Sequence, residues 1–103
     1  MIESLPYWDK DTDFPCMYSG TFKTSDTDDH NLFYWFFRNT ESKDDLPLVL
    51  WINGGPGSSS MFGLFLENGP LRISKTGPSD DDYKLGMNEE GSWVDIANII
   101  FLD

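Results

Sequence analysis

Residues 48–60 read LVLWINGGPGSSS: a short apolar run, an asparagine, glycines around a proline, then serines. The run Leu48-Val49-Leu50-Trp51-Ile52 is apolar, partly β-branched and too short for a helix, so it reads as a strand. It stops abruptly at Asn53-Gly54-Gly55-Pro56-Gly57. Beyond the break, Met61, Leu64 and Phe65 recur at helical spacing, with serines available to cap a helix expected over residues 58–67 and Asn68-Gly69-Pro70 to end it. Strand, glycine-rich loop and helix in that order are the building unit of an α/β fold.

Working outward, residues 17–22 form a first strand candidate, bounded by Pro15 and by a polar loop that contains His30. Residues 32–37, LFYWFF, are bulky and continuous, which predicts a strand buried on both faces. A charged turn at 41–45 is expected to join it to 48–52 as a hairpin. Residues 71–73 read as a short strand, and an acidic loop with Gly and Pro runs to about residue 90. Ser92-Trp93 and a turn at 95–98 then lead into Ile99-Ile100-Phe101-Leu102-Asp103, which reads as a central strand of a parallel sheet. Such strands need helices on both faces, and the sequence offers one clear helix. The expectation is therefore the N-terminal portion of a larger α/β domain, incomplete on its own, over a small self-sufficient α+β protein.

Composition narrows the partners. The chain has 103 residues and a net charge of -11 from 18 acidic against 7 basic side chains, which disfavours nucleic acid and anionic membranes. Its 16% aromatic content argues against disorder. The acid runs Asp26-Thr27-Asp28-Asp29 and Asp80-Asp81-Asp82 lack the glycine turn and closing Glu of a calcium loop and read as solvated loops, so no metal and no cofactor is expected. Cys16 is the only cysteine, which rules out an internal disulfide. The start, MIESLPYWDK, has neither a basic nor an apolar region of a signal peptide, and no apolar run reaches membrane-spanning length.

Three chemistries suit the glycine loop. A phosphate cradle is poorly matched: GxxxxGK[ST] lacks its lysine, and GxGxxG from Gly55 meets Ser60 at the third glycine. A serine nucleophile is also poorly matched, because Ser58, Ser59 and Ser60 do not sit in GxSxG, and the lone His30 lies in a polar loop. An oxyanion hole fits best, since in α/β-hydrolases one backbone N–H comes from the loop after the third strand, where Gly54 and Gly55 stand.

The residues at this point resemble a family. Trp51-Ile52-Asn53-Gly54-Gly55-Pro56-Gly57-Ser58-Ser59-Ser60, then Gly63-Leu64-Phe65 and Glu67-Asn68-Gly69-Pro70, are similar to the N-terminal part of serine carboxypeptidases, which have the α/β-hydrolase fold and the pattern W-L-N-G-G-P-G-C-S-S, G-L-F, E-x-G-P. Tyr18-Ser19-Gly20, residues 32–37, Ser92-Trp93 with Ala97-Asn98, and Phe101-Leu102-Asp103 follow the family's segments in order. The resemblance implies an exopeptidase that releases C-terminal residues. It implies that the Gly55 N–H is one oxyanion-hole donor, and that Asn53, the Gly54 N–H and Glu67 bind the substrate's free C-terminal carboxylate, with Trp51 on the same wall. Two carboxyl groups in one desolvated site cannot both stay ionised, so Glu67 is expected to be protonated when substrate is bound, favouring acid pH.

The departures also matter. Ser58 stands where the family has a cysteine, and Cys16 is not at that position. The family's GESYxG nucleophile motif and its later Asp and His are absent from these residues. The expected substrates are peptide or protein C-termini, the chain needs the downstream remainder of the fold, and alone it is expected to be inactive. A family acyltransferase and a truncated non-catalytic homologue remain as alternatives, and the resemblance implies a vacuolar, lysosomal or secreted location.

Overall fold

The structure, a computed structural model, describes residues 1–27, 29–41 and 45–103. The acidic run through Asp28 and the turn expected at 41–45 lie partly outside them. In chain order the elements are β1 (Cys16–Lys23), β2 (Asn31–Arg38), β3 (Leu48–Trp51), α1 (Met61–Leu66), β4 (Leu71–Lys75), β5 (Tyr83–Met87), a single 3₁₀ turn (Trp93–Asp95) and β6 (Asn98–Leu102). Four strands form one sheet in the order β1-β2-β6-β3, and β4 pairs with β5 in a separate antiparallel ribbon.

Two expectations about the sheet are corrected. β2 and β3 do not form a hairpin, because β6 lies between them. β6 pairs antiparallel with β2 and parallel with β3, so the sheet is mixed rather than parallel. The apolar run 99–102 is indistinguishable by periodicity from a fully buried parallel strand, and only pairing reveals the difference. The acidic loop expected after residue 73 also holds β5, whose short and glycine-containing YKLGM gives little strand signal.

The register explains how the core forms. Met17, Phe37, Ile99 and Val49 stand side by side across the four strands, and Ser19, Trp35, Phe101 and Trp51 form the next row but one. Both rows project to the same face because strand side chains alternate with period two. Met17, Phe37, Ile99 and Phe101 are fully buried there, under Leu64 of α1 and Leu71 and Leu85 of the ribbon. Aromatic edges lock the layer: Phe65 meets Trp35 edge-on at 6.0 Å, and Phe37 meets Phe101 at 6.1 Å.

The opposite face is a different surface. Tyr18, Phe36, Ile100 and Leu50 form the intervening row, and they belong to a face where Leu48, Leu50 and Ile52 are each more than half exposed. β2 is therefore covered on one face only, which corrects the expectation of burial on both. The radius of gyration, 14.9 Å, exceeds the roughly 13 Å of a compact domain of this length, as expected of a sheet with one face packed.

Candidate active site

β3 is an edge strand that delivers Asn53 and the glycine loop to the top of the sheet beside the start of α1. α1 is only six residues long and starts later than the sequence suggested. Ser60 stands at its N-cap but makes no side-chain capping bond; its hydroxyl instead accepts the Asn53 backbone N–H at 3.2 Å, while the Ser59 hydroxyl accepts from Met61 N. Ser60 is 1% exposed, and among the described residues no serine of this group hydrogen-bonds to an imidazole.

Asn53 is the centre of the site. Its Oδ1 accepts the Trp51 indole N–H at 2.7 Å and the Gly63 backbone N–H at 3.3 Å, and its Nδ2 donates to Glu67 Oε1 at 3.1 Å. An indole and a peptide N–H are donors only, so the atom facing both must be the oxygen, and the amide orientation is forced. Two N–H bonds therefore point away from Trp51; one meets Glu67, and among the described residues the other has no protein acceptor. Trp51 is braced in turn by Trp93, edge-on at 5.4 Å.

Glu67 lies just past α1, its side chain on the exposed side. Its carbonyl accepts from the Arg72 guanidinium, which also holds the carbonyls of Leu71 and Gly69, so the turn that presents Glu67 is tied to β4.

Gly54 and Gly55 differ in what they require. Gly55 has φ +136°, and a Cβ there would stand 3.0 Å from the backbone nitrogens of Gly57 and Ser58; the conformation itself demands glycine. A Cβ on Gly54 would meet nothing within 4 Å. The Gly54 carbonyl accepts from Ser58 N at 3.2 Å, and among the described residues neither glycine's N–H donates to an acceptor.

Sequence reasoning singled out Trp51, Asn53, Gly54, Gly55 and Glu67 as candidates, and the structure brings the Trp51, Asn53 and Glu67 side chains into one hydrogen-bonded cluster beside the two glycines. It missed Gly63, where a Cβ would collide with the Trp51 indole nitrogen and come within 2.8 Å of Asn53 Oδ1. A glycine inside a helix is the signal that could have found it, since it costs about 1 kcal/mol against alanine without a packing reason. In sequence Trp93 stands only as part of the family-like segment Ser92-Trp93, with no link to Trp51, and Arg72 carries no signal. Among the described residues no group of acidic, Cys or His side chains could hold a metal ion, and no helix is long and apolar enough to cross a membrane.

With this geometry in place, comparison with known proteins is direct. The family model for serine carboxypeptidases matches residues 6–103. Serine carboxypeptidase S10 family member 2 of Dictyostelium discoideum is 45% identical over 89 residues, covering 84% of this chain and 15% of that protein. The pheromone-processing carboxypeptidase KEX1 of Phytophthora infestans is 38% identical over 103 residues, covering all of this chain and 16% of its own length. Among solved structures, a prohormone-processing carboxypeptidase, KEX1(delta)p from Saccharomyces cerevisiae, superposes with a TM-score of 0.67 at 37% identity over 86% of this chain and 19% of that one. The chain thus spans about a sixth of the length of these curated relatives, its mixed sheet matches the N-terminal part of the α/β-hydrolase fold of the KEX1(delta)p structure, and it belongs to the serine carboxypeptidase family.

Proposed function

We propose that this chain supplies the substrate-receiving half of a serine-type carboxypeptidase site: the Gly55 N–H as one oxyanion-hole donor, and Asn53, the Gly54 N–H and Glu67, beside Trp51, as the clamp for the free C-terminal carboxylate. The forced orientation of the Asn53 amide carries this reading. An amide whose oxygen is occupied by Trp51 and Gly63 offers only N–H to a ligand, and a carboxylate offers only acceptors.

In the reaction, a serine hydroxyl from outside these residues adds to the carbonyl of the last peptide bond while a base takes its proton. The carbonyl oxygen becomes negative, and the Gly55 N–H donates to it; losing such a donor typically costs about 10²–10³ in rate. The C–N bond then breaks as the base hands its proton to the leaving amine, the C-terminal residue departs with its carboxylate still held by the clamp, and water then releases the acyl group from the serine. That carboxylate faces Glu67, and two carboxylates in contact repel each other, so in this reading Glu67 donates to the bound carboxylate from its acid form. Activity accordingly falls as pH rises through neutrality. The remainder of the fold is needed for catalysis, and the isolated chain has no peptidase activity. Family membership supports a vacuolar, lysosomal or secreted place of action.

The test is a chimera in which residues 6–103 replace the matching segment of the yeast KEX1 carboxypeptidase. Hydrolysis of peptides with a free C-terminus should persist, and Glu67→Gln should broaden the pH range without abolishing activity. Equal hydrolysis of free and C-terminally amidated peptides would sink the clamp.

A further inference from the structure

Asp103 directly follows β6 and reaches across to the start of α1. Its Oδ1 accepts the Ser60 backbone N–H at 2.8 Å, while its own backbone is fastened to β2 by a reciprocal pair of bonds with Phe33, at 2.8 and 2.9 Å. Ser60 is 1% exposed, so losing that acceptor leaves a buried donor without a replacement from water. The Ser60 hydroxyl accepts the Asn53 backbone N–H at 3.2 Å. Asn53 then contacts Trp51, Gly63 and Glu67.

These bonds form one line from the sheet to the site. Asn53 lies beyond the last paired residue of β3, so the ladder no longer holds its backbone. The Ser60 hydroxyl replaces the missing ladder partner, and Asp103 fixes where Ser60 stands. We propose that Asp103 and Ser60 are positioning residues for the carboxylate clamp: neither touches substrate, and both set the place of the Asn53 amide. The inference rests on the reading of Asn53 and Glu67 as that clamp and adds what aims it. A displacement of about 1 Å in such a group can cost about 10²-fold in rate.

The variants are Asp103→Ala, which removes the acceptor, and Asp103→Asn, which keeps an oxygen for Ser60. In the 103-residue chain, amide exchange and ¹H–¹⁵N spectra read the line directly. Asp103→Ala should speed exchange at Ser60 and Asn53 by about tenfold or more and move the Trp51 indole resonance, whereas Asp103→Asn should not. In the chimera, Asp103→Ala should raise KM for a free-C-terminus peptide by about tenfold or more, change kcat less, and spare the amidated peptide, with Asp103→Asn restoring KM.

Unmoved Asn53 and Trp51 signals in Asp103→Ala, or an equal loss on free and amidated peptides, overturns the proposal. Should Asp103→Ala fail to fold in the chimera, Ser60→Ala decides by the same split between free and amidated peptides, because it removes the hydroxyl that accepts the Asn53 N–H and keeps the Ser60 backbone bond to Asp103. Asn53→Ala separates the two readings. If it leaves discrimination between the peptides intact, the clamp and the proposal both fail; if it removes discrimination while Asp103→Ala retains it, only the proposal fails.

Discussion

The Trp51 indole N–H donates to Asn53 Oδ1 at 2.7 Å, two residues along the same chain. Because β3 alternates its side chains, Trp51 points into the packed face and Asn53 follows on the same side, so the contact follows from strand geometry once the chain stays extended past Ile52. The indole N–H thereby fixes which end of the Asn53 amide is turned away from Trp51.

Asn53→Asp tests that orientation. The substitution replaces the Nδ2 donor with an oxygen that faces Glu67 Oε1, now 3.1 Å from Nδ2, and with the substrate carboxylate it adds a third acid. KM for a free-C-terminus peptide should rise by about tenfold or more at neutral pH, and the loss should shrink as pH falls, because protonation relieves like-charge repulsion. Steady-state kinetics of the chimera across pH check this; a pH-independent loss would count against it.

Gly54 and Gly55 should separate stability from catalysis. Gly55→Ala forces a Cβ into φ +136° and against the backbone of Gly57 and Ser58, so it should destabilise by about 1–3 kcal/mol. Gly54→Ala meets open space and should change stability by less than about 0.5 kcal/mol, while the proposed clamp, which uses the Gly54 backbone, predicts a lower kcat/KM. Urea unfolding and kinetics of both variants decide.

Gly63→Ala should act against helix propensity. Alanine in a helix normally gains about 1 kcal/mol over glycine. Here the added methyl collides with the Trp51 indole and crowds Asn53 Oδ1, so a net loss of about 1–3 kcal/mol is expected. A stabilised variant by urea unfolding would show that the indole can move aside.

The ion pair of Asp9 and Lys84, 2.6 Å apart, should give stability a pH dependence. The hydrogen bond from Lys84, followed by the one from the Asp11 N–H, holds the Asp9 carboxyl below its usual value, and the same Asp9 bond holds the Lys84 ammonium above its own. A lowered acid contributes stability above its unfolded pKa, about 3.9, that is lost as pH falls through the folded value; a raised base contributes below about 10.4 and loses it as pH rises through the folded value. Lys84→Met should therefore lower Tm between those limits and converge with the parent at acid pH. The effect should be small and fade in salt, because the pair is on the surface.

Much of the candidate site was legible because its residues lie close together in sequence. Asn53 to Gly57 is one uninterrupted segment, and Glu67 follows at the end of the helix that the loop introduces. Backbone requirements such as φ +136° at Gly55 leave a mark in residue type. What stayed hidden depends on pairing between distant segments. That β6 inserts between β2 and β3 is decided by which strand edges meet, and nothing in 32–37 or 48–52 encodes it locally. β5 was missed because Gly86 and Lys84 dilute the strand pattern, although Leu85 between them is part of the core. Trp93 looks like any turn aromatic until Trp51 is placed beside it.

The row of Tyr18, Phe36, Ile100 and Leu50 has a consequence for how the chain behaves in a test tube. It is an adhesive strip, ending at the open edge of β3, on a molecule whose net charge is -11. At low ionic strength the charge keeps copies apart; above about 0.1 M salt the screening length falls to roughly 10 Å or less and that protection shortens. Light scattering of the isolated chain should therefore show association growing with added salt, the reverse of an assembly held by ion pairs. Ile100→Lys, which puts charge in the middle of the strip, should keep the chain dispersed.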